Sequence, residues 1–430
     1  MEKIVYDQLQ EQLYYEKMPN GLDVYLLPKK AFNKTYAVFT TKYGSVDNQF
    51  VPRGKTEMKR VPDGIAHFLE HKLFEKEDGD VFHQFSKQGA SANAFTSFTR
   101  TAYLFSSTSD VEKNVETLID FVQSPYFSEQ TVEKEKGIIG QEIRMYDDNP
   151  DWRLYFGVIE SLYHHHPVKI DIAGTVESIA DITKELLYEC YETFYHPSNM
   201  LLFIVGPIDE QAMMEQIRRN QAKKTFPSPE PIQRYVYEEP KEVATPRRVI
   251  PMHVQTSKCL VGIKAKHVVS KGKEKLTHEL AMNVLLDYLF GKSSSHYERL
   301  YQAGIIDETF AYDYTEEESF GFAIVGGDTS DPDRLSEELK QMILSFEPSA
   351  LTAEALERVK KKKIGAFLRA LNSPEYIANQ FTRYAFHETS LFEVAKVLQS
   401  LTVDDVREVV DECFHESQLA VCQIVPKASM

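Results

Sequence analysis

The sequence predicts an α+β protein made of two homologous domains, each combining strands with packed helices. Three observations favour this fold class. The chain has 430 residues, 42% of them hydrophobic, which is too long for one ordinary core and enough for two domains of roughly 200 residues. Strand patterns and helix patterns both occur along the chain. A helix followed by a strand recurs at a constant offset of 219 residues, which indicates a duplicated unit.

The duplication sets the predicted domain boundaries. Residues 183–205 correspond to residues 402–424, and each copy is a helix followed by a strand that closes a domain. We therefore expect a first domain at 1–222 and a homologous second domain at 249–430. Residues 223–248, with five prolines and mixed charges, have the composition of a linker.

The first half opens with strand patterns. Residues 14–27 predict two strands joined through Asn20-Gly21, a strong hairpin signal. Residues 36–43 predict another strand. Two later elements follow from the same rules: a helix from Val81 to Gln88, capped by Asp80 and ended by Gly89, and a strand from Ala90 to Phe105 that is rich in Thr and aromatic residues.

Between these strands lies the sequence His67-Phe68-Leu69-Glu70-His71. In a helix, His67 and His71 are at i and i+4, so both imidazoles can reach one zinc ion from the same side. Glu70 then projects beside the metal, where it can take a proton from a metal-activated water. The alternative is an amphipathic helix with polar residues at its edge, because short motifs need their structural context.

A charged amphipathic helix is predicted from Ser128 to Tyr146. Its predicted apolar side is formed by Val132, Ile138, Ile139 and Ile143. Glu135 and Glu142 are seven residues apart and share a face. A zinc site built on two His residues needs a third protein ligand, and one of these carboxylates could supply it. The alternative is that they are solvated charges on a surface helix, which often carries such pairs.

The second half retains the scaffold without the metal-binding residues. Ala281 and Met282 stand opposite Glu70 and His71, while Val359 and Ala366 stand opposite Glu135 and Glu142. This combined loss favours a catalytic metal site in the first half of the chain.

His164-His165-His166-Pro167 looks like a metal tract, but the proline marks a turn, so we predict a loop. Four cysteines, without C-x-x-C spacing, are expected to be reduced core thiols: Cys190, Cys259, Cys413 and Cys422.

Charge and hydropathy limit the partners. A net charge of −16 argues against nucleic acid as a ligand. The first residues have no secretory pattern, and no apolar stretch approaches the roughly 18 to 20 residues of a membrane span. We therefore expect a soluble protein in the cytoplasm, without a membrane or nucleic-acid partner.

With the inverted H-x-x-E-H motif, the downstream glutamate pair and the duplicated domain, the chain resembles the insulinase/pitrilysin family of zinc metallopeptidases over nearly its whole length. The resemblance implies that His67, His71 and Glu142 bind one Zn²⁺ per chain, that Glu70 is the general base, and that Glu135 supports the site. It also implies that an edge strand binds peptide, the relevant residues being Gly89, Asn93, Ala94 and Phe95.

The resemblance further implies the fold of LuxS and the mitochondrial processing peptidases. In this metallohydrolase fold the two halves, each a mixed, mostly antiparallel sheet with helices, form a clamshell around an enclosed chamber. Many half-length relatives carry an Arg and a Tyr in the second domain. Here Tyr301 stands where the Arg is expected and no Tyr follows at the expected point, although Arg299 or Tyr312 could substitute. We therefore expect a paralogous subunit without the metal motif, or a second copy of the chain, as partner.

Two functions follow from this resemblance. The first is a zinc endopeptidase that hydrolyses short or unfolded peptides in the chamber, using zinc-activated water and Glu70. The alternative is a non-catalytic peptide-binding or assembly subunit of a processing-peptidase-like complex. The subfamily that the chain resembles most is bacterial and is named for association with the aminopentanol modification of elongation factor P.

Overall fold

The computed structural model describes residues 1–77, 79–265 and 271–427. The strands in these residues are β1 (Glu2–Tyr6), β2 (Glu11–Lys17), β3 (Asp23–Pro28), β4 (Thr35–Thr41), β5 (Gln49–Phe50), β6 (Lys59–Arg60), β7 (Glu75–Lys76), β8 (Gly79–Asp80), β9 (Ala90–Thr96), β10 (Thr101–Ser107), β11 (Met200–Gly206), β12 (Arg247–Met252), β13 (Ser257–Lys264), β14 (Ala311–Glu316), β15 (Gly321–Thr329) and β16 (Leu419–Pro426). The helices are α1 (Ile65–Leu73), α2 (Phe82–Lys87), α3 (Val111–Val122), α4 (Glu129–Asp147), α5 (Pro150–Leu162), α6 (Val176–Ala180), α7 (Lys184–Phe194), α8 (Glu210–Ala222), α9 (Gly272–Phe290), α10 (Ser295–Gln302), α11 (Pro332–Leu344), α12 (Ala353–Ala370), α13 (Pro374–Phe386), α14 (Val394–Ser400) and α15 (Val403–Cys413).

The described residues form two compact units, and each unit takes segments from both halves of the chain. Unit 1 comprises the described residues of Met1–Ile143, Asp171–Tyr235 and Ala370–Phe386, and unit 2 those of Arg144–Ile170, Val236–Arg369 and His387–Met430. The domain boundaries predicted at 222 and 249 divide the chain by its sequence repeat and not by packing. These units therefore do not test them, and the boundaries stay a prediction. Residues 266–270 and 428–430 of the predicted second domain lie outside the described residues.

A mixed, mostly antiparallel sheet is the centre of unit 1. Within the described residues its seven strands lie in the order β1-β2-β3-β11-β4-β10-β9. Strand β11 is parallel to β3 and antiparallel to β4. Every residue of β11, from Met200 to Gly206, is buried. A continuous apolar strand of this kind is typical of a sheet covered on both faces, so β11 lies within the core.

Unit 2 repeats the part of this topology formed by β3-β11-β4-β10-β9, which confirms the predicted duplication. Its described strands lie in the order β12-β16-β13-β15-β14, with β16 parallel to β12 and antiparallel to β13. The closing helix and strand are α7 and β11 in the first copy and α15 and β16 in the second. Thr183 and Thr402 cap the two helices in the same way, each side chain accepting a backbone N–H in the first turn.

Helices α5 and α13 hold equivalent places in the two copies, after α4 and α12, but each packs on the other copy's sheet. In unit 1, α13 lies on β4 and β11, and the ring of Phe381 stacks 4.6 Å from that of Phe203. In unit 2, α5 lies on β13 and β16. A Cβ on Gly157 would lie 2.7 Å from Sγ of Cys422, so close packing of α5 requires glycine. Because of this exchange, each compact unit contains a helix from the other half of the chain.

Most local predictions are confirmed. Strands β2 and β3 pair around a turn in which Gly21 has φ +93°, a conformation that suits glycine. Asp80 accepts the N–H of Phe82 at the start of α2, and Gly89, with φ +70°, follows its end. The four cysteines are buried free thiols. Among the described helices, none combines the length and apolar composition needed to cross a bilayer.

Two local predictions are wrong. The single strand predicted from Ala90 to Phe105 is a hairpin of β9 and β10, because a turn forms in which Ser97 N–H donates to the carbonyl of Arg100 at 2.8 Å. Ile138 is 46% exposed and does not belong to the apolar side of α4. The buried side chains, Val132, Ile139 and Ile143, follow a spacing of seven and four, which leaves Ile138 off their face.

Candidate metal centre

The position of helix α1 is fixed by the backbone conformation of the residue before it and by the burial of its apolar face. It begins after Gly64, which has φ +90°, and a Cβ there would lie 2.3 Å from the carbonyl oxygen of Ala173. Only glycine fits this conformation and this close approach. Phe68, Leu69 and Leu73 are completely buried. The predicted motif helix is therefore held in place at its start and along its apolar face.

The two histidines lie together on α1, and α4 brings a carboxylate to them. The ring centroids of His67 and His71 are 4.5 Å apart. Glu142 Oε1 lies 3.7 Å from Nε2 of His67, and Glu142 Oε2 lies 3.6 Å from Nε2 of His71. One ligand atom from each of the three residues lies within 4.8 Å of the other two. Within the described part of the chain, this is the one group of three such side chains that could hold a metal ion.

The chemistry of these donors fits zinc. Two imidazole nitrogens and one carboxylate form a donor set of catalytic zinc sites, which leave a fourth position for water. Burial, together with the neighbouring His71, lowers the pKa of His67 to about 4. The His67 ring is therefore neutral at pH 7, and the neutral ring is the form that binds a metal.

Glu135 lies behind the second histidine. Its Oε1 is 3.1 Å from Nδ1 of His71, so Nε2 is the nitrogen that faces Glu142. Burial opposes the charged form of His71, but the hydrogen bond to Glu135 and the charges of Glu70 and Glu142 outweigh it and raise the pKa of His71. A carboxylate behind a metal-ligating histidine fixes the orientation of the ring.

Glu70 lies beside this group in a buried position, with 8% of its surface exposed. Burial raises the pKa of its carboxyl above 4.5, which makes the group a stronger proton acceptor near neutral pH. Its Oε2 accepts a hydrogen bond of 2.7 Å from the hydroxyl of Thr96, the last residue of β9. Sequence reasoning missed Thr96, because the Thr-rich segment indicated a strand and gave no sign of which hydroxyl would face the motif.

The four residues predicted to bind peptide lie on or next to an edge strand. In the described residues β9 pairs only with β10, so its other edge has no strand partner there. The N–H of Ala94 donates to its neighbour Asn93 Oδ1 at 2.9 Å, which shows that this N–H faces away from β10. Gly89 immediately precedes β9, and the guanidinium carbon of Arg100 lies 5.7 Å from the ring centroid of Phe95. Their role in binding stays a prediction.

Unit 2 uses the equivalent histidine differently. His278 on α9 lies 2.7 Å from Glu316 through Nδ1 and 3.1 Å from Glu412 through Nε2, so both ring nitrogens are within hydrogen-bond distance of a carboxylate. The two candidate substitutes for the Arg and Tyr also have partners in unit 2. Arg299 pairs with Glu338, and the hydroxyl of Tyr312 donates to Asp287 at 2.8 Å.

The histidine tract is a loop, as predicted. The backbone N–H groups of His164, His165 and His166 donate to the carboxylate of Glu239 at 2.6 to 2.9 Å. Lys264 donates to the same carboxylate at 2.8 Å. The tract therefore binds a residue of the predicted linker through its main chain.

The fold and the site define a two-domain α+β protein with a His-His-Glu centre of the metallohydrolase kind. Comparisons with known proteins agree. Residues 51–176 match the family model described as insulinase (peptidase family M16), and residues 181–363 match the one described as the peptidase M16 inactive domain. The chain belongs to this insulinase family, M16.

Individual relatives support the same assignment. The chain is 67% identical over 425 residues to the uncharacterized zinc protease YmfH of Bacillus subtilis (strain 168), and 99% of each chain is covered. A crystal structure of an M16-like peptidase from Alicyclobacillus acidocaldarius has a TM-score of 0.93 and 41% identity, covering 97% of this chain and 99% of that one. A protease structure from Helicobacter pylori, with a TM-score of 0.82, 21% identity and coverage of 97% and 100%, shares the fold.

Proposed function

We propose that this protein is a zinc-dependent endopeptidase that hydrolyses short or unfolded peptides. The observation that carries the proposal is the convergence of His67, His71 and Glu142, with one ligand atom from each lying within 4.8 Å of the others, next to the buried carboxylate of Glu70. The zinc-protease names of relatives such as YmfH support the same kind of chemistry.

The roles of the residues follow from their positions. His67, His71 and Glu142 would hold one zinc ion, which supplies Lewis acidity that lowers the pKa of a water molecule to about 7 and polarises a carbonyl group. Glu70 takes a proton from the attacking water and passes it to the nitrogen of the departing amine. Glu135 keeps the ring of His71 turned so that Nε2 faces the centre.

Strand β9 is the proposed binding surface for the peptide. The N–H of Ala94, which donates to Asn93 Oδ1, lies on the edge away from β10, and an extended peptide can pair with such an edge as an added strand. Main-chain pairing depends little on the side chains of the substrate. Folded proteins have few free strands to offer, so the edge selects short or unfolded chains.

The test compares wild type with Glu70→Gln and Glu142→Gln. Zinc content by atomic spectrometry should be about one ion per chain in wild type and in Glu70→Gln, and lower in Glu142→Gln. Cleavage of a quenched fluorescent peptide should be abolished in both variants. Glu133→Gln is the control, because Glu133 lies on α4 with its side chain 69% exposed and pairs with Lys136. Equal cleavage by wild type and Glu70→Gln would rule out the mechanism.

The partner, the cellular location and the subfamily are also proposals. Because Tyr301 replaces the expected Arg, we propose that a metal-free paralogue supplies the missing groups, with a homodimer as the other assembly. We place the protein in the cytoplasm and in the subfamily linked to elongation factor P. Co-purification from the native cell, followed by cleavage assays with and without the paralogue, tests the pairing.

A second function is favoured by one observation: residues 181–363 match a domain described as inactive. On this alternative the chain binds peptides or assembles a complex without hydrolysing them. Zinc binding without cleavage, even when the paralogue is present, would favour this function over the endopeptidase.

A further inference from the structure

We infer that Thr96 is a positioning residue that orients the carboxylate of Glu70 and couples it to the peptide-binding strand. This inference rests on the proposed function. The hydroxyl of Thr96 donates to Oε2 of Glu70 at 2.7 Å, and it is the one hydrogen bond to this carboxylate that the described residues supply. One oxygen of the base is therefore held by the protein, and Oε1 is left to accept the proton from water.

The hydroxyl of Thr96 lies next to a buried residue of the neighbouring strand. The hydroxyl of Thr101, a completely buried residue on β10, lies 3.5 Å from it. The same Thr101 hydroxyl is 2.9 Å from the carbonyl of Tyr43, to which it donates. Thr96 pairs with Thr101 in the register of β9 and β10, so the sheet fixes the distance between the two side chains. The donor to Glu70 is therefore preorganised before a substrate arrives.

The position of Thr96 in the strand gives it a second consequence. Thr96 ends β9, two residues after Ala94, whose N–H faces the open edge. Residues two apart in a strand have side chains on the same face and main-chain groups facing the same side. A peptide that pairs with this edge therefore binds to β9, the same strand whose Thr96 contacts the base Glu70. Misplacing a catalytic group by about 1 Å can cost about 100-fold in rate. The hydrogen bond from Thr96 therefore controls the position of the Glu70 carboxylate relative to the bound peptide.

Thr96→Val and Thr96→Ser test the inference. Valine keeps the shape of threonine and removes the donor, whereas serine keeps the donor. We expect Thr96→Val to lower kcat by about 10- to 100-fold with KM changed less than twofold and zinc content unchanged. Thr96→Ser should stay close to wild type. Thr108→Val, at an exposed position after β10, is the control for the substitution itself. Wild-type kcat in Thr96→Val, or equal losses in the valine and serine variants, would overturn the inference.

One further measurement separates this inference from the proposed function. If wild type does not cleave peptides at all, the proposed function fails and crystal structures of metal-free wild type and Thr96→Val decide the remaining question. Glu70 should adopt one orientation in wild type and a different or divided one in the variant. An unchanged Glu70 would overturn the inference independently of activity.

Discussion

Nδ1 of His71 lies 3.1 Å from Oε1 of Glu135, although the two residues are 64 positions apart in the sequence. This contact decides which nitrogen of the ring is presented to the metal centre, because the other nitrogen, Nε2, lies 3.6 Å from Glu142. Two carboxylates of one helix thus act on one imidazole from opposite sides. Predictions about zinc binding follow from this arrangement.

Glu135→Gln should weaken zinc binding by about 10- to 100-fold, because an amide stabilises the ring less than a carboxylate does. Zinc affinity, measured by competition with a chromophoric chelator, checks this directly. Glu133→Gln on the same helix should bind zinc as wild type does, since its side chain is exposed and pairs with Lys136. Equal affinities for all three proteins would show that Glu135 has no part in the site.

Zinc should stabilise the folded protein. An ion that binds the native state alone adds about 4 kcal/mol to the free energy of unfolding when its free concentration is 1,000 times Kd. Adding zinc to the chelator-treated protein should therefore raise Tm, as measured by scanning calorimetry. Glu142→Gln should lose most of this rise, because it replaces the one carboxylate of the three-residue group with a neutral amide. If the Tm of wild type did not depend on zinc, the proposal that the native protein binds zinc at this site would be contradicted.

The stability of unit 2 should depend on the ionisation of Glu239. Burial alone would raise its pKa, but the ammonium of Lys264 and three backbone N–H groups lower it to about 2. A lowered pKa means that the stabilisation is present above about 4.5 and is lost as the pH falls towards 2. Glu239→Gln should cost about 1 to 2 kcal/mol at pH 7, a moderate value because the charge is only partly shielded from water.

Urea unfolding of wild type and Glu239→Gln at several pH values measures this difference, which should shrink below pH 4.5. Glu238→Gln is the matched control, because the side chain of Glu238 is exposed and makes no such contacts with the residues that the structure describes. A constant difference between pH 7 and pH 3 would argue against the proposed cause.

Gly64→Ala should destabilise unit 1 and displace α1. The position has φ +90°, and the new Cβ would meet the carbonyl of Ala173 at 2.3 Å. We expect a loss of about 1 to 3 kcal/mol, with reduced zinc affinity. Gly54→Ala separates the two causes, because Gly54 has φ +69° but open space around its Cβ. Equal losses at the two positions, measured by urea unfolding, would show that backbone strain alone is responsible.

Local physics explains which elements could be predicted from the sequence. Residues four or seven positions apart lie on the same face of any helix. The shared faces of His67 and His71, and of the two glutamates, could therefore be predicted without knowledge of the fold. Asn20-Gly21 and Gly89 also act locally, since glycine adopts positive φ without a steric penalty. The turn within residues 90–105 was missed, because the Thr-rich and aromatic composition is the same on both sides of it.

The sequence by itself determined the duplicated α+β domains, the two histidines on one helix and the loss of the corresponding residues in the second copy. These features depend on periodicity and repetition, which are properties of the order of residues alone. Only the tertiary structure decided that α4 brings Glu142 and Glu135 to those histidines, that Thr96 contacts Glu70, and that α5 and α13 exchange sheets. These contacts join residues that are distant along the chain. Their distances depend on how whole elements pack, which no local spacing specifies.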